Sequence, residues 1–330
     1  DVANSCMFDG SSHYLTTGSL GTATNAKKCT VSVWMKLSQT NLTGSSNYIL
    51  GSYDDSRTNA LDFTYAADNK LSFYHGSDDG NGKHVQSNKK FRDVTGWTHV
   101  VWACDTTQGT AANRIKIYFN GVEATKNTAT YPDENAESLL FGDSYNKIGS
   151  NWTAATGTMH DGYMAEFIFI DGSQLAASSF GEFDEDSPSV WKPKDPTDLT
   201  FGNNGFWLDF EDSSALGNDV SGNNNDLSTS GLAAIDQKTD SPTNNFATLN
   251  PLDNYYTDAT YSNGNLKIVT DSSDYSPALS TIGVNSGKWY CEIKMITDSG
   301  SDNEFLVGIV STQTVSTQDE IGGIANGYGY

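Results

Sequence analysis

Residues 97–125 have the sequence of two antiparallel strands joined to a tight turn. Apolar and polar side chains alternate along residues 114–119 (RIKIYF), which is the two-residue period of a strand with one buried face. Asn120 and Gly121 follow at once, and this pair readily adopts the two positive φ angles of a two-residue hairpin. The stretch therefore predicts a half-buried antiparallel hairpin.

The rest of the chain has the same character. In residues 30–37 (TVSVWMKL) the odd-numbered side chains are expected to face inward and the even-numbered ones outward. Further strands are expected at residues 61–65 and 71–74, and the best helical candidate is the short stretch 173–180. With 31 Gly, 7 Pro and frequent turn residues, the sequence predicts an all-β chain, long enough for two domains.

The charge, hydropathy and cysteine content of the chain argue against several classes of protein. The net charge of −22 repels phosphate backbones and argues against nucleic-acid binding, while it is compatible with solubility or with cation binding. No run of eighteen apolar residues is present, so no membrane insertion is expected. The four cysteines lack metal-site spacing and lie in apolar, strand-like runs, which favours buried free thiols over a disulfide framework.

Five pieces of the first 180 residues occur in an order typical of one family. They are residues 8–15 (FDGSSHYL), 31–36, 97–101, 118–121 and 161–166. In this order they resemble laminin-G-like domains, which belong to the concanavalin A-like superfamily. The resemblance covers residues 1–180 and implies a jelly-roll sandwich that binds ligands rather than performing chemistry.

The remaining residues are expected to form a connector and a second domain. Residues 181–200 are acidic and rich in Pro, which predicts a linker. Residues 201–250 are rich in turn residues and are either a duplicated opening strand or a docked extension. Residues 251–330 contain SGKWYCEI and FLVGI, which resemble the first part of a SPRY domain, with Trp289, Cys291 and Ile293 on one face. The expected fold class is thus an all-β sandwich followed by a second, incomplete one, which further chain or a partner would complete.

The same superfamily contains glycosidases, so a catalytic pattern is one possibility for this chain. Retaining β-glucanases of this superfamily carry E-x-D-x-x-E on one strand, where two carboxylates share a face. The nearest stretch here begins at Glu182 and has Ser187 in place of the second Glu, within the expected linker. No zinc-hydrolase, nucleophile-elbow or phosphate-loop motif is present. Enzyme activity is therefore not expected.

The resemblance to laminin-G-like domains makes calcium the cofactor to consider. Such domains hold Ca²⁺ in rim loops through Asp and Asn oxygens. Asp-rich loops are also common as plain turns, and both interpretations stay open here. The candidate calcium ligands are Asp54, Asp55, Asp78, Asp79, Asp143 and Asp171.

Carbohydrate binding needs an aromatic platform beside amide or carboxylate groups. One candidate cluster consists of Trp152, Tyr145, Asn146 and Asn151. A second consists of Tyr74 and His75, close in sequence to two of the aspartates above. Ordinary packing or simple exposure of these side chains is the alternative.

Residues 241–251 (SPTNNFATLNP) carry a second resemblance, to virion structural proteins of tailed, particularly marine, bacteriophages. It implies a non-enzymatic appendage on the virion surface: a fibre, a spike or a capsid decoration. Its expected partners are other virion proteins, further copies of the chain (a trimer among the options) and a host-surface glycan. The alternatives are a secreted or cell-surface bacterial adhesin or carbohydrate-binding module and, less favoured, a polysaccharide depolymerase.

Overall fold

The structure, a computed structural model, describes residues 1–38, 47–53, 58–63, 69–75, 83–138, 140–142, 145–151, 153–154, 159–254, 259–270, 278–297, 306–311 and 327–329. The chain divides into two units, Asp1–Phe246 and Ala247–Tyr330. Among the described residues no helix has the length and apolar character required to cross a membrane.

The first unit is built of strands, as the sequence predicts. They are β1 (Ser5–Asp9), β2 (Tyr14–Thr17), β3 (Lys28–Leu37), β4 (Asn47–Tyr53), β5 (Thr58–Phe63), β6 (Lys70–His75), β7 (Lys83–Lys90), β8 (Thr98–Asp105), β9 (Ile115–Phe119), β10 (Val122–Glu123), β11 (Lys126–Ala129), β12 (Tyr145–Ile148), β13 (Asp161–Asp171), β14 (Gly181–Phe183), β15 (Trp191–Pro193), β16 (Phe206–Leu208), β17 (Ser228–Ser230) and β18 (Gln237–Lys238). Three short 3-10 helices lie between them, at Ala111–Asn113, Ala177–Ser179 and Ala234–Asp236. The helical candidate at residues 173–180 thus contains only one three-residue turn of 3-10 helix.

Two large sheets pack face to face and enclose the core. The first has the order β10-β9-β8-β3-β13-β1-β18, with β16 also paired to β13, and the second has the order β11-β7-β6-β5-β4-β12-β2-β17. Their inner faces share one apolar cluster, in which the rings of Phe73 and Trp102 lie 4.0 Å apart. Neighbouring strands come from distant parts of the chain, as in a jelly-roll sandwich, so the predicted sandwich is confirmed.

The hairpin turn forms as predicted. Asn120 and Gly121 have φ angles of 46° and 81°. Gly121 also has a packing role, because a Cβ atom there would lie 2.3 Å from the ring of Trp191. The glycine therefore serves both the turn and the close approach of a residue 70 positions further along the chain.

Strand β3 differs from the prediction on its outer side. Its odd-numbered residues 31–37 join the core, as expected. The even-numbered residues 30–36, predicted to face solvent, are buried as well. The reason is that two later parts of the chain cover the outer face of the first sheet. In residues 175–201, Phe180 and Phe201 pack on Val101 and Ile170, and residues 240–246 lie against Lys36.

The ammonium group of Lys36 anchors the covering segment 240–246. Lys36 Nζ donates to Asp240 Oδ2 at 2.8 Å, to Asn245 Oδ1 at 2.9 Å and to the carbonyl oxygen of Phe246 at 2.7 Å. The other carboxylate oxygen of Asp240 accepts the indole N–H of Trp97 at 2.8 Å. All three ammonium protons are thus satisfied in a site where the Lys36 side chain is 1% exposed.

The same segment holds the start of the chain. Val2 donates its N–H to Thr243 Oγ1 at 3.1 Å, and Ser241 Oγ donates to the Val2 carbonyl at 2.6 Å. Ser5 Oγ donates to the Asp240 carbonyl at 2.6 Å. Residues 241–246 of the SPTNNFATLNP stretch therefore have a structural role within the first unit.

The structure draws the domain boundary differently from the sequence. The sequence predicts a first domain of residues 1–180, a linker at 181–200 and a connector at 201–250. The first unit instead runs to Phe246, because this region supplies β14–β18 and the cover of the first sheet. Of the two interpretations of residues 201–250, the docked extension agrees with this arrangement, since residues 210–216 form no strand.

The second unit contains short two-stranded sheets among its described residues. They pair β19 (Leu249–Asn254) with β22 (Ala278–Ser280), β20 (Thr260–Ser262) with β21 (Lys267–Val269), and β23 (Gly308–Val310) with β24 (Gly327–Gly329). Residues 281–297 form no strand, and Trp289, Cys291 and Ile293, expected on one face of a strand, are all exposed. The alternation there finds no partner strand among the described residues, and the SPRY-like sandwich stays a prediction.

Replacing Asp240 tests the role of the buried Lys36–Asp240 ion pair in holding residues 240–246. In the Asp240→Ala variant the Lys36 ammonium group stays buried without its counter-charge, so the free energy of unfolding should fall by about 3–5 kcal/mol. Urea unfolding of the full chain, followed by tryptophan fluorescence, measures it.

The matched control is Glu123→Ala, which removes an exposed partner 3.1 Å from Lys116. That change should cost less than about 1 kcal/mol. Equal losses in the two variants would contradict the anchoring role of the buried pair.

Candidate functional site

The outer face of the first sheet is closed to ligands by the chain itself. Val101, Ile168 and Ile170 are covered by Phe180 and Phe201, all five of them buried. Further side chains that pack against this cluster are Tyr118, Leu175, Trp191, Leu199 and Trp207. A sheet face that is occupied in this way has no room for a ligand.

His99 lies on β8, beneath this cover. Its ring stacks between Trp34 at 4.8 Å and Trp191 at 6.0 Å. Trp191 Nε1 donates to His99 Nδ1 at 3.0 Å, which leaves the proton on Nε2 to be donated to Ser32 Oγ at 2.8 Å. Burial lowers the pKa of His99 to about 3, so the imidazole is neutral at physiological pH.

Glu166 is a carboxyl group under the same cover. It sits with a φ of 49° in an irregularity of β13 between Ala165 and Ile168, and its Oε2 accepts the indole N–H of Trp207 at 2.7 Å. Burial raises the pKa of Glu166 to about 7; the Trp207 hydrogen bond opposes the rise, and Asp209 and Glu211 add to it.

The outer face of the second sheet has a different composition. Leu15, Leu50 and Ile148 pair with one another on adjacent strands and are fully buried, so their chain neighbours lie on the outer face. On the outer face, the pairing register then places Thr16, Lys147 and Gly51 in one row, and through the backbone of β5 it continues this row to Tyr74 and His84.

Five tyrosines lie on this outer face, which we call the tyrosine face: Tyr14, Tyr48, Tyr53, Tyr74 and Tyr145. Tyr145 is 66% exposed and Tyr74 37% exposed, and the other three are half-buried. The ammonium group of Lys147 lies 5.2 Å from the centre of the Tyr14 ring. The tyrosine face thus offers aromatic rings beside polar groups. Gly51, which has no side chain, lies opposite Lys147 on the neighbouring strand.

The tyrosine face has one titratable group near physiological pH among its described side chains, His84. It pairs with Tyr74 across β6 and β7. Burial lowers the pKa of His84 below the usual value for histidine. The imidazole is therefore neutral above pH 7, where it can both donate and accept one hydrogen bond.

The structure brings together only part of the predicted sugar site. Tyr145 and Tyr74 share the tyrosine face. They lie three strand spacings apart, about 14 Å at 4.8 Å per strand, and are offset by two residues, about 7 Å, along the strands. Asn146 points inward instead, where its Oδ1 accepts Ser52 Oγ at 2.6 Å and the Phe141 N–H at 2.8 Å.

Asn151 is also structural. It is 7% exposed, and its Oδ1 accepts the backbone N–H and the hydroxyl of Thr153 at 3.1 Å and 3.0 Å, which closes a turn. Trp152 and the side chain of His75 lie outside the described residues.

The carboxylate of Asp171 joins two loops, and its assignment as a calcium ligand stays a prediction. Its carboxylate accepts the backbone N–H groups of Thr24 at 2.6 Å, Asn25 at 3.3 Å and Asn204 at 3.1 Å. It thereby ties two loops to the end of β13, which is a structural task. The other five candidates, Asp54, Asp55, Asp78, Asp79 and Asp143, lie outside the described residues. In the described part of the chain no three His, Cys, Asp or Glu side chains form a metal-binding group.

The stretch that approximates the glucanase pattern lies on a hairpin at the surface. Glu182 belongs to β14, which pairs with β15, and its side chain is 55% exposed. Asp184 Oδ2 accepts Lys192 Nζ at 3.2 Å. These carboxylates lie outside the two large sheets, and Ser187 stands where the pattern requires the second catalytic Glu.

The chain matches the family model described as the concanavalin A-like lectin/glucanases superfamily over residues 9–179, just over half of its length. It therefore belongs to this superfamily. A comparison with curated proteins found no match.

Solved structures with a similar fold include three sandwich proteins. A native heptameric SAP-like pentraxin from Limulus polyphemus is 15% identical, with a TM-score of 0.38 over 53% of this chain and 79% of the other. Domain 4 of a GH43 extracellular arabinanase from Geobacillus stearothermophilus, in complex with arabinotriose, is 20% identical, with a TM-score of 0.40 over 53% and 73%. Domains LG4-5 of the mouse laminin α1 chain are 15% identical, with a TM-score of 0.38 over 53% and 43%. Family membership rests on the family model alone.

Sequence reasoning missed most of the tyrosine face. Tyr14, Tyr48, Tyr53, Lys147 and His84 come from strands that are distant in the chain and meet only through the sheet register. The available signal was the alternation of β2 and β12, in which Leu15 and Ile148 mark the inner face and so assign their neighbours to the outer one.

The raised pKa of Glu166 predicts a pH-dependent stability. Between about pH 4.5 and pH 7 the folded chain keeps a proton that the unfolded chain releases, so this group's contribution to stability falls as the pH rises. Glu166→Gln removes this loss and should be more stable than the wild type at pH 8, by up to about 3 kcal/mol, with a much smaller difference at pH 4.

Urea unfolding at the two pH values measures the difference. Glu182→Gln, the same change at a half-exposed position, is the control and should show little pH-dependent difference from the wild type. A pH-independent effect of Glu166→Gln would show that the carboxyl of Glu166 titrates normally.

Proposed function

We propose that this chain is a non-enzymatic, lectin-like module that binds a host-surface glycan through the tyrosine face. The observation that carries the proposal is the contrast between the two outer sheet faces. One is filled by residues 175–201 and 240–246, and the other presents Tyr145 and Tyr74 to solvent.

The chemistry of the tyrosine face suits a carbohydrate. Sugars have apolar C–H faces, which pack against aromatic rings, and hydroxyl groups, which need nearby donors and acceptors. Tyr145 and Tyr74 supply exposed rings, and Lys147 and His84 supply polar groups between and beside them. Membership of the concanavalin A-like lectin/glucanases superfamily supports a carbohydrate as the ligand class.

The incomplete glucanase pattern favours a binding role over hydrolysis. Hydrolysis needs two carboxyl groups that flank the scissile bond. Here the second position is Ser187, and the stretch lies on the exposed β14–β15 hairpin. A depolymerase, the less favoured alternative, would release reducing ends from host polysaccharide.

We place the module on the surface of a bacteriophage particle, as a fibre, spike or capsid decoration, among other virion proteins and further copies of itself. This part of the proposal is supported by the resemblance of residues 241–251 to phage virion proteins. A bacterial adhesin or carbohydrate-binding module would use the same face. Calcium in the Asp-rich loops that include Asp54, Asp55, Asp78, Asp79 and Asp143 remains part of the proposal.

Substitution on the tyrosine face tests glycan binding. On an array of bacterial surface glycans, Tyr145→Ala and Tyr74→Ala should each weaken binding about tenfold, equivalent to about 1.4 kcal/mol. Tyr145→Phe keeps the ring and should retain most of the affinity. The array is repeated with EDTA to detect a calcium requirement.

The control is Phe183→Ala, which removes an aromatic side chain that is 45% exposed on the β14–β15 hairpin. It should bind as the wild type does. Full binding by both tyrosine variants would refute the assignment of the tyrosine face, and release of reducing sugar from any array polysaccharide would favour the depolymerase.

The proposed location of the protein on phage particles is tested separately. Antibodies against the full chain should decorate intact phage particles in electron micrographs. Labelling of bacterial cells in cultures free of phage would favour the adhesin instead.

A further inference from the structure

Two cysteines of the first sheet lie directly opposite each other. Cys29 in β3 pairs with Cys104 in β8. Both side chains belong to the apolar core between the sheets, and both are free thiols. Directly opposite residues on one face of an antiparallel pair have Cβ atoms about 4.5–5.5 Å apart, so their side chains interact.

The backbone geometry of this pair is compatible with a covalent bond. Thr106 donates its N–H to the Lys27 carbonyl at 3.0 Å, and two residues further along the ladder Cys29 and Cys104 are again a hydrogen-bonded pair. The Cα atoms of such a pair are about 5.5 Å apart, within the range of about 4.4–6.8 Å found for disulfides. The two thiols also hydrogen-bond to each other, which raises the pKa of Cys104, and burial adds to the rise.

Cys29 is 3% exposed and lines a cavity of about 220 Å³ at one end of the sandwich, together with Lys28, Asn25, Leu140, Gly142 and Asp171. This volume holds several molecules the size of water, at about 30 Å³ each. Cys6, the third buried thiol of the first unit, does not line this cavity.

We propose that Cys29 and Cys104 are a redox-active pair that a peroxide closes to an intramolecular disulfide. Cys29 Sγ attacks one peroxide oxygen, the O–O bond breaks, and the products are a sulfenic acid on Cys29 and water. Cys104 Sγ then attacks the sulfur of Cys29, the S–O bond breaks, and the hydroxyl leaves as water with the remaining thiol proton. Two thiols lose two electrons in total, and one hydrogen peroxide becomes two waters.

The bond would fix the centre of the first sheet. It joins β3 to β8, and it closes a loop of more than seventy residues that includes most of the second sheet. A cross-link of this span restricts the unfolded chain strongly, so the oxidised protein should unfold about 5–10 °C above the reduced one. The inference is independent of the proposed glycan binding.

The test uses the full chain carrying Cys291→Ser, because Cys291 is exposed and would form bonds between molecules. The protein is treated with hydrogen peroxide, the residual thiols are blocked after denaturation, and the peptides are mapped by mass spectrometry. The expected result is the loss of two of the three thiols and a linked peptide pair containing Cys29 and Cys104.

Cys6→Ser is the matched control, since it removes a buried thiol that has no cysteine opposite and should leave the cross-link unchanged. Cys104→Ser should abolish the cross-link and leave Cys29 as a thiol or a sulfenic acid. Recovery of both Cys29 and Cys104 as thiols after peroxide treatment, or oxidation of each to sulfinic acid without a link, would overturn the proposal. The peptide map of the Cys291→Ser protein, which keeps both Cys29 and Cys104, shows whether the disulfide forms even if a further variant fails to fold.

Discussion

The ammonium group of Lys36 lies almost wholly out of water, and its three hydrogen bonds all go to residues 240–246. A buried charge of this kind is tolerated only with its partners in place. These partners cover the outer face of the first sheet together with residues 175–201. The position of these two parts of the chain determines which surfaces of the sandwich remain open to solvent.

The closed face and the open face have opposite chemistry. Under the covering residues, Trp34, His99 and Trp191 form a dry stack, and desolvation keeps His99 neutral and raises the pKa of Glu166. Across the core, the second sheet presents tyrosines and a lysine outward. We place the proposed glycan site on the second sheet because its outer face is the one that the chain leaves uncovered.

The sequence predicted what depends on local order. Alternation and the Asn120-Gly121 turn gave the hairpin and the inner face of β3, and Tyr145 was correctly placed at the surface. Long-range contacts were missed. Lys36 was expected to face solvent, because its partner lies 204 residues away. The hydrogen bonds of the Asp171 carboxylate were missed for the same reason, since its backbone donors, such as Asn204, come from loops that no local pattern connects to it.

The decisive measurement is a crystal structure of the full chain with an oligosaccharide selected on the glycan array. We expect sugar rings packed on Tyr145 and Tyr74, with the outer face of the first sheet still covered by residues 175–201 and 240–246. A sugar bound against the first sheet, with residues 240–246 displaced from Lys36, would contradict this expectation.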